Sequence, residues 1–156
     1  MVHTKSRCEK ALAADLNERG TPYFLPLTRA RRRYGRRVVV TDLPLFPGYL
    51  FLCGEEEDRY AVLVTGRAAA VIRVVDQDRL RVELRHVYRL TASRAAAELY
   101  PGLRRGRRCR VARGSLAGLE GVVLWRRGAC RICIGVEALG QSAELEIDPS
   151  LLEAMD

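Results

Sequence analysis

The run Leu45-Phe46-Pro47-Gly48-Tyr49-Leu50-Phe51-Leu52 divides into a kink and a strand. Proline fixes φ and removes a backbone donor, and glycine admits left-handed backbone, so Pro47-Gly48 turns the chain. Beyond the kink the side chains alternate, with Tyr49 and Phe51 facing one way and Leu50 and Leu52 the other. The leucines already supply an inward face. Paired aromatics on the second face cost solubility unless something covers them, which favours a partner-facing patch. The competing reading makes Tyr49 and Phe51 ordinary core.

Upstream of this strand, Thr4 to Arg19 reads as a helix. Ser6 and Glu9 have capping-box spacing, Cys8, Leu12 and Leu16 share a stripe, and Gly20-Thr21-Pro22 stops it. Only Val2-His3 remains before it as a strand remnant. Tyr23 to Leu27 is a short strand, and Arg29 to Arg37 is a basic arm that turns at Tyr34-Gly35 and feeds Val38-Val39-Val40-Thr41. Downstream, Glu55-Glu56-Glu57-Asp58 opens a second helix with acids where the helix dipole favours them, and Gly66 closes it. Ala70 to Val75 is a strand. Asp76 to Thr91 is a third helix, with Leu80, Leu84, Val87 and Thr91 on one stripe.

Ser93 to Arg105, with Ala95-Ala96-Ala97 and Tyr100-Pro101-Gly102, reads as a linker. From Gly106 the pattern changes to short strands: Cys109 to Val111, Val122 to Trp125, Cys130 to Val136 and Glu144 to Ile147. Within Cys130 to Val136, Cys130, Ile132, Ile134 and Val136 point inward, while Arg131, Cys133 and Glu137 point outward. Such spacing predicts a small five-stranded barrel. The expected organisation is α+β: residues 1–92 as a sandwich of mostly antiparallel sheet and helices, 93–105 as linker, and 106–156 as the barrel.

The net charge of +8 over 156 residues is unevenly placed. Residues 1–92 hold 17 Lys/Arg against 11 Asp/Glu, whereas residues 106–156 hold seven of each. A phosphate-binding surface is therefore expected in the first part, and the neutral barrel is better suited to a protein partner. Six arginines in Arg29 to Arg37, with one tyrosine, suit phosphate tracking more than base reading. A solvated hairpin is the plain alternative. Arg81, Arg85 and Arg89 on the third helix read as a solvated face.

Catalysis finds no support. Cys130 and Cys133 have zinc-like spacing, but no second pair or nearby histidine completes a tetrahedral site, so they read as structural thiols. His3 and His86 have no nucleophile placed to use them. The acids at 55–58 are helix-start charges, and Gly102 to Gly106 lacks the Lys-Ser/Thr ending of a phosphate loop. No cofactor or metal is expected. No apolar run is long enough to span a bilayer, the first residues lack a signal core, and five cysteines without framework spacing fit a reducing, cytoplasmic setting. A monomer is expected.

Two distant stretches carry a resemblance. Arg110-Val111-Ala112-Arg113-Gly114-Ser115-Leu116-Ala117-Gly118-Leu119-Glu120-Gly121-Val122-Val123 resembles a KOW motif, in which Gly114, Gly118 and Gly121 allow a tight first turn. Leu45 to Leu52 resembles the core strand of the NusG N-terminal (NGN) domain, and Leu139-Gly140-Gln141 with Glu144 to Ile147 is similar to the last KOW strands. Either motif alone is weakly specific, since KOW motifs also occur in ribosomal proteins. Their pairing, over nearly the whole chain, is similar to the NusG family of transcription elongation and antitermination factors.

That resemblance implies docking on the clamp helices of RNA polymerase through Tyr49 and Phe51, supported by Phe46, with suppression of pausing or termination. It implies that Lys5, Arg7 and Arg67 lie near DNA or RNA of the elongation complex; Arg31, Arg32 and Arg33 are expected to contact nucleic acid on the strength of their charge alone. It also implies that the KOW domain recruits a partner such as a ribosomal protein or a termination factor. The second helix carries Arg59-Tyr60-Ala61 where RfaH-like members have a polar loop-contacting cluster. The family's first strand carries aromatics, and Val2-His3 here implies a truncated start or a shortened edge. A short, Arg-dense chain leans towards a specialised paralogue. The alternatives are a housekeeping factor of the same family, or a KOW-containing RNA-binding or ribosome-associated protein.

Overall fold

The computed structural model describes residues 1–93, 98–100, 106–126 and 128–155. In chain order the elements are β1 (Val2–Thr4), α1 (Glu9–Glu18), β2 (Tyr23–Phe24), β3 (Leu27–Tyr34), β4 (Arg37–Pro44), β5 (Tyr49–Leu52), α2 (Glu56–Val64), β6 (Ala68–Val71) and α3 (Gln77–Ala92). They continue with β7 (Glu98–Tyr100), β8 (Arg107–Val111), β9 (Glu120–Arg126), β10 (Ala129–Val136), β11 (Gln141–Glu146) and β12 (Leu152–Ala154). The α+β class expected from the sequence is the class observed.

One compact unit comprises Met1–Leu27 and Phe46–Val75. Its sheet has the order β2-β5-β1-β6, antiparallel at each junction. The remnant Val2-His3 is therefore an inner strand, with Val2 opposite Leu50 on one side and Val71 on the other. The expected helix from Thr4 is shortened for this reason. Thr4 is drawn into the sheet, and Arg7, at φ 61°, turns the chain before α1 begins at Glu9. Leu12, Ala13 and Leu16 of α1 pack with Val2, Leu50, Val62 and Ala68, and Leu52 lies against this cluster. Each leucine fully removed from water contributes roughly 1.5–3 kcal/mol. Helix α2 is held at its start by a reciprocal cap between Glu55 and Asp58.

The second compact unit comprises Thr28–Leu45 and Asp76–Asp156. These divisions differ from cuts at residues 92 and 105, because α3 falls in the unit that holds the C-terminal strands. The β3–β4 hairpin is a two-stranded sheet by itself. The larger sheet runs β12-β8-β9-β10-β11-β7: the four strands named from the sequence, β12 as the fifth, and β7 in addition. That added strand, Glu98–Tyr100, lies inside the expected linker and pairs with Ser142 to Glu144. The rest of the linker reading, at 94–97 and 101–105, lies outside the described residues.

Ile132, Ile134 and Val136 of β10 are buried as the alternation requires, with Ala143 and Leu145 of β11 beside them. The outward assignment of Cys133 needs correction. It is 2% exposed, and its cross-strand partner Glu144 is 1% exposed. Helix α3 packs on β10, so this strand has no solvent face at its centre. Alternation separates two faces of a strand without saying which of them meets water.

Candidate functional site

The Pro47-Gly48 turn is fixed from three directions. Gly48, at φ 83°, donates its N–H to the buried carboxylate of Glu9 at 2.7 Å. Its carbonyl accepts the Thr4 N–H at 2.8 Å, and the Tyr49 N–H closes the turn on Phe46 O at 3.1 Å. Glu9, read as a capping-box partner, is thus committed to a loop 39 residues away. A buried carboxylate without such a donor would cost several kcal/mol, so the turn and the start of α1 hold each other.

Immediately after the turn, Tyr49 is half-buried and stacks on His3, ring centroids 5.0 Å apart and 23° from parallel. Leu50 enters the helix-side core, as alternation requires. Phe51 points the other way but is only 4% exposed, and Phe46 is 0% exposed. Phe51 meets Phe46 edge-on at 6.4 Å and stacks on Phe24 at 6.3 Å. The expectation of Tyr49 and Phe51 as an exposed pair is corrected: in this conformation Tyr49 alone of the three reaches the surface. Phe46 and Phe51 are buried against each other and Phe24, because both faces of β5 are covered.

Lys5, Arg7 and Arg67 are brought together by the pairing of β1 with β6. The Lys5 N–H donates to Arg67 O at 2.8 Å, and Arg7 follows in the turn closed by Cys8 N–H on Lys5 O at 3.1 Å. Lys5 and Arg7 are exposed. Arg7 is the one non-glycine at positive φ among the described residues, a conformation costing roughly 1–2 kcal/mol. Arg67 differs from the expected free cation, since its Nε donates to Asp15 Oδ2 at 2.7 Å. That ion pair is only partly buried and leaves the outer guanidinium edge available.

Arg31, Arg32 and Arg33 lie on the hairpin, within the fully exposed stretch 31–40. Gly35, at φ 61°, heads the two-residue turn, and Arg33 Nε donates to its carbonyl at 3.1 Å. Arg29 sits 3.9 Å from Asp42 across the two strands. Arg31, Arg32, Arg36 and Arg37 make no ion pair with a described residue, so the outer half of the hairpin carries uncompensated positive charge.

The KOW-like stretch forms the β8–β9 connection. Gly118 donates to Val111 O at 2.7 Å, and Val111 donates to Leu119 O at 2.8 Å. Gly114 and Gly118 hold φ of 88° and 79°, as a tight turn requires. Gly121 serves differently: a Cβ there would lie 2.5 Å from Cys133 O, so its small size admits the neighbouring strand. Val111 is buried and Val122 half-buried. Arg110 donates from Nε and Nη2 to Glu120 Oε1 at 3.0 and 2.7 Å, which holds that carboxyl below its ordinary pKa.

Four side chains bind α3 to this sheet and to the turn after β10, in contacts that the sequence did not reveal. Arg89 Nη1 donates to Gly118 O at 3.0 Å, and His86 Nδ1 donates to Glu120 O at 3.1 Å. Glu83 accepts the Glu137 N–H at 3.1 Å, while Arg79 bridges Glu83 and Glu137. Burial pushes the Glu83 carboxyl up, against the opposing pull of that N–H and of Arg79. Arg89 is therefore more than part of a solvated stripe. Its role had no signal in the sequence, because its acceptor is a backbone carbonyl 29 residues away.

No curated protein matches the chain. The family model described as transcription termination factor nusG matches residues 1–91. The match covers the whole first compact unit, the hairpin and nearly all of α3.

Proposed function

The chain belongs to the NusG family, whose members act on transcription elongation together with RNA polymerase, and from that premise we propose a specialised, non-enzymatic antitermination factor of the cytoplasm. It docks as a monomer on the clamp helices of the polymerase, suppresses pausing or termination, and recruits a ribosomal protein or a termination factor through its KOW-like sheet. The observation that carries the docking reading is the half-buried Tyr49 ring, stacked on His3 beside a turn locked by Glu9. An aromatic held by a stacked neighbour and a fixed turn loses little entropy on binding and makes a strong anchor. Lys5, Arg7 and Arg67 form one basic contact with nucleic acid, and Arg31, Arg32 and Arg33 form another. Support for a protein partner on the KOW-like sheet comes from its neutral charge and from Trp125, which is 67% exposed.

The test is polymerase pull-down with Tyr49→Ala, whose folding is checked by circular dichroism. Docking predicts a loss of roughly tenfold or more in affinity, the effect of removing an anchor. A folded variant that captures polymerase as well as the parent would sink the docking reading.

A further inference from the structure

The arginines of the β3–β4 hairpin are divided between its two faces. Alternation along β3 places Arg29, Arg31 and Arg33 on one face and Arg32 and Tyr34 on the other. The Arg29–Asp42 pair fixes the matching face of β4, because opposed residues of antiparallel strands share a face. Asp42, Val40 and Val38 therefore lie with Arg31 and Arg33, while Arg37, Val39 and Thr41 lie with Arg32 and Tyr34. Every residue from 31 to 40 is exposed, so both faces are open along the outer half.

A single nucleic-acid strand offers one line of phosphates, for which one basic face is enough. Charge on two opposite faces calls for an anionic wall on each side. The major groove of B-form DNA supplies two backbones about 12 Å apart across a floor about 8.5 Å deep. A ribbon with side chains on both faces is about 10 Å thick, and its two strands lie about 4.8 Å apart, so it fits that width and depth. The minor groove, about 6 Å wide, is too narrow. The major groove of A-form RNA is deep and narrow and excludes such a ribbon.

We propose that the β3–β4 hairpin seats in the major groove of duplex DNA, with Arg31 and Arg33 on one backbone and Arg32 and Arg37 on the other. The proposal rests on the nucleic-acid reading of the hairpin given above and narrows it to one partner and one mode of contact.

The experiment uses the full chain and fluorescence anisotropy over a salt series. Its probes are a labelled B-form DNA duplex of about two helical turns, one of its strands alone, and the RNA duplex of the same sequence. The DNA duplex is expected to bind tightest. Arg31→Ala with Arg33→Ala, and separately Arg32→Ala with Arg37→Ala, are each expected to weaken it roughly tenfold and to lower the log–log salt slope by about 2, one unit per lost phosphate contact. All four residues are exposed, so the variants fold, which circular dichroism checks. Equal or tighter binding of the single strand or the RNA duplex overturns the proposal, as does an effect confined to one arginine pair. Those outcomes leave the broader nucleic-acid reading standing. Both fail together if no probe binds in a hairpin-dependent way.

Discussion

Strands β4 and β5 invite comparison because both carry consecutive large apolar side chains, Val38-Val39-Val40 in one and Tyr49-Leu50-Phe51-Leu52 in the other. Strand β5 lies between β2 and β1, with Leu50 and Phe51 buried on its opposite faces. Strand β4 pairs only with β3, and all three valines stand at least 43% exposed. Composition is similar; the number of neighbours differs. The strand that looks like a docking patch is mostly core, while the strand that looks like a core element is surface. What distinguishes them in the sequence is the flanking chemistry. β4 is preceded by arginines that no core would accept without partners, whereas β5 is preceded by a Pro-Gly turn that locks it into place.

The contrast can be broken most directly at Phe51. Phe51→Ala is expected to cost about 3–5 kcal/mol in urea denaturation, the usual range for truncating a buried phenylalanine. A loss below about 1 kcal/mol would put Phe51 on the surface and restore the exposed pair. The turn gives a smaller effect. Glu9→Ala removes the acceptor of the Gly48 N–H and is expected to cost about 1–3 kcal/mol, the range for stranding a buried donor. It should also reduce polymerase capture, because Tyr49 loses its fixed base. Unchanged stability and capture would mean that the turn holds itself. Smallest of all, Val39→Thr in the hairpin is expected to change stability by less than about 0.5 kcal/mol, as exposed positions do. A cost above about 1 kcal/mol would show that β4 is covered in solution and would end the comparison.

How much of this was legible follows from the range of each interaction. The glycines at 114 and 118 could be read because positive φ is a local demand that few other residues meet. The stripe of α3 and the alternation of β10 could be read because their periods lie within one element. The central place of β1 could not: three residues carry no period, and their neighbours in the sheet lie some 46 to 69 positions away. The same distance hid the commitments of Glu9 to Gly48, of Arg67 to Asp15 and of Arg89 to Gly118. Each of these residues looked free in the sequence because its partner belongs to another element. Of the candidate residues, the hairpin arginines are exposed and Tyr49 is half-buried, whereas Phe51, read as exposed, is buried together with Phe46, which was read as its support. Burial on a second face depends on what packs there, and no local pattern records that.

The inner position of β1 has a consequence for how the protein is made. Val2, His3 and Thr4 leave the ribosome before either of their flanking strands, one of which ends at Val71, whose neighbour Ile72 donates its N–H to the Met1 carbonyl and accepts from the Met1 ammonium. During synthesis β1 meets its first partner, β5, only after some fifty residues have followed it, and its second, β6, only after some seventy. The basic hairpin between β2 and β5 needs no such delay, because its two strands are consecutive and close on a two-residue turn. The segment that carries the charge is thus able to form on the nascent chain before the sheet that carries Tyr49 has its middle strand.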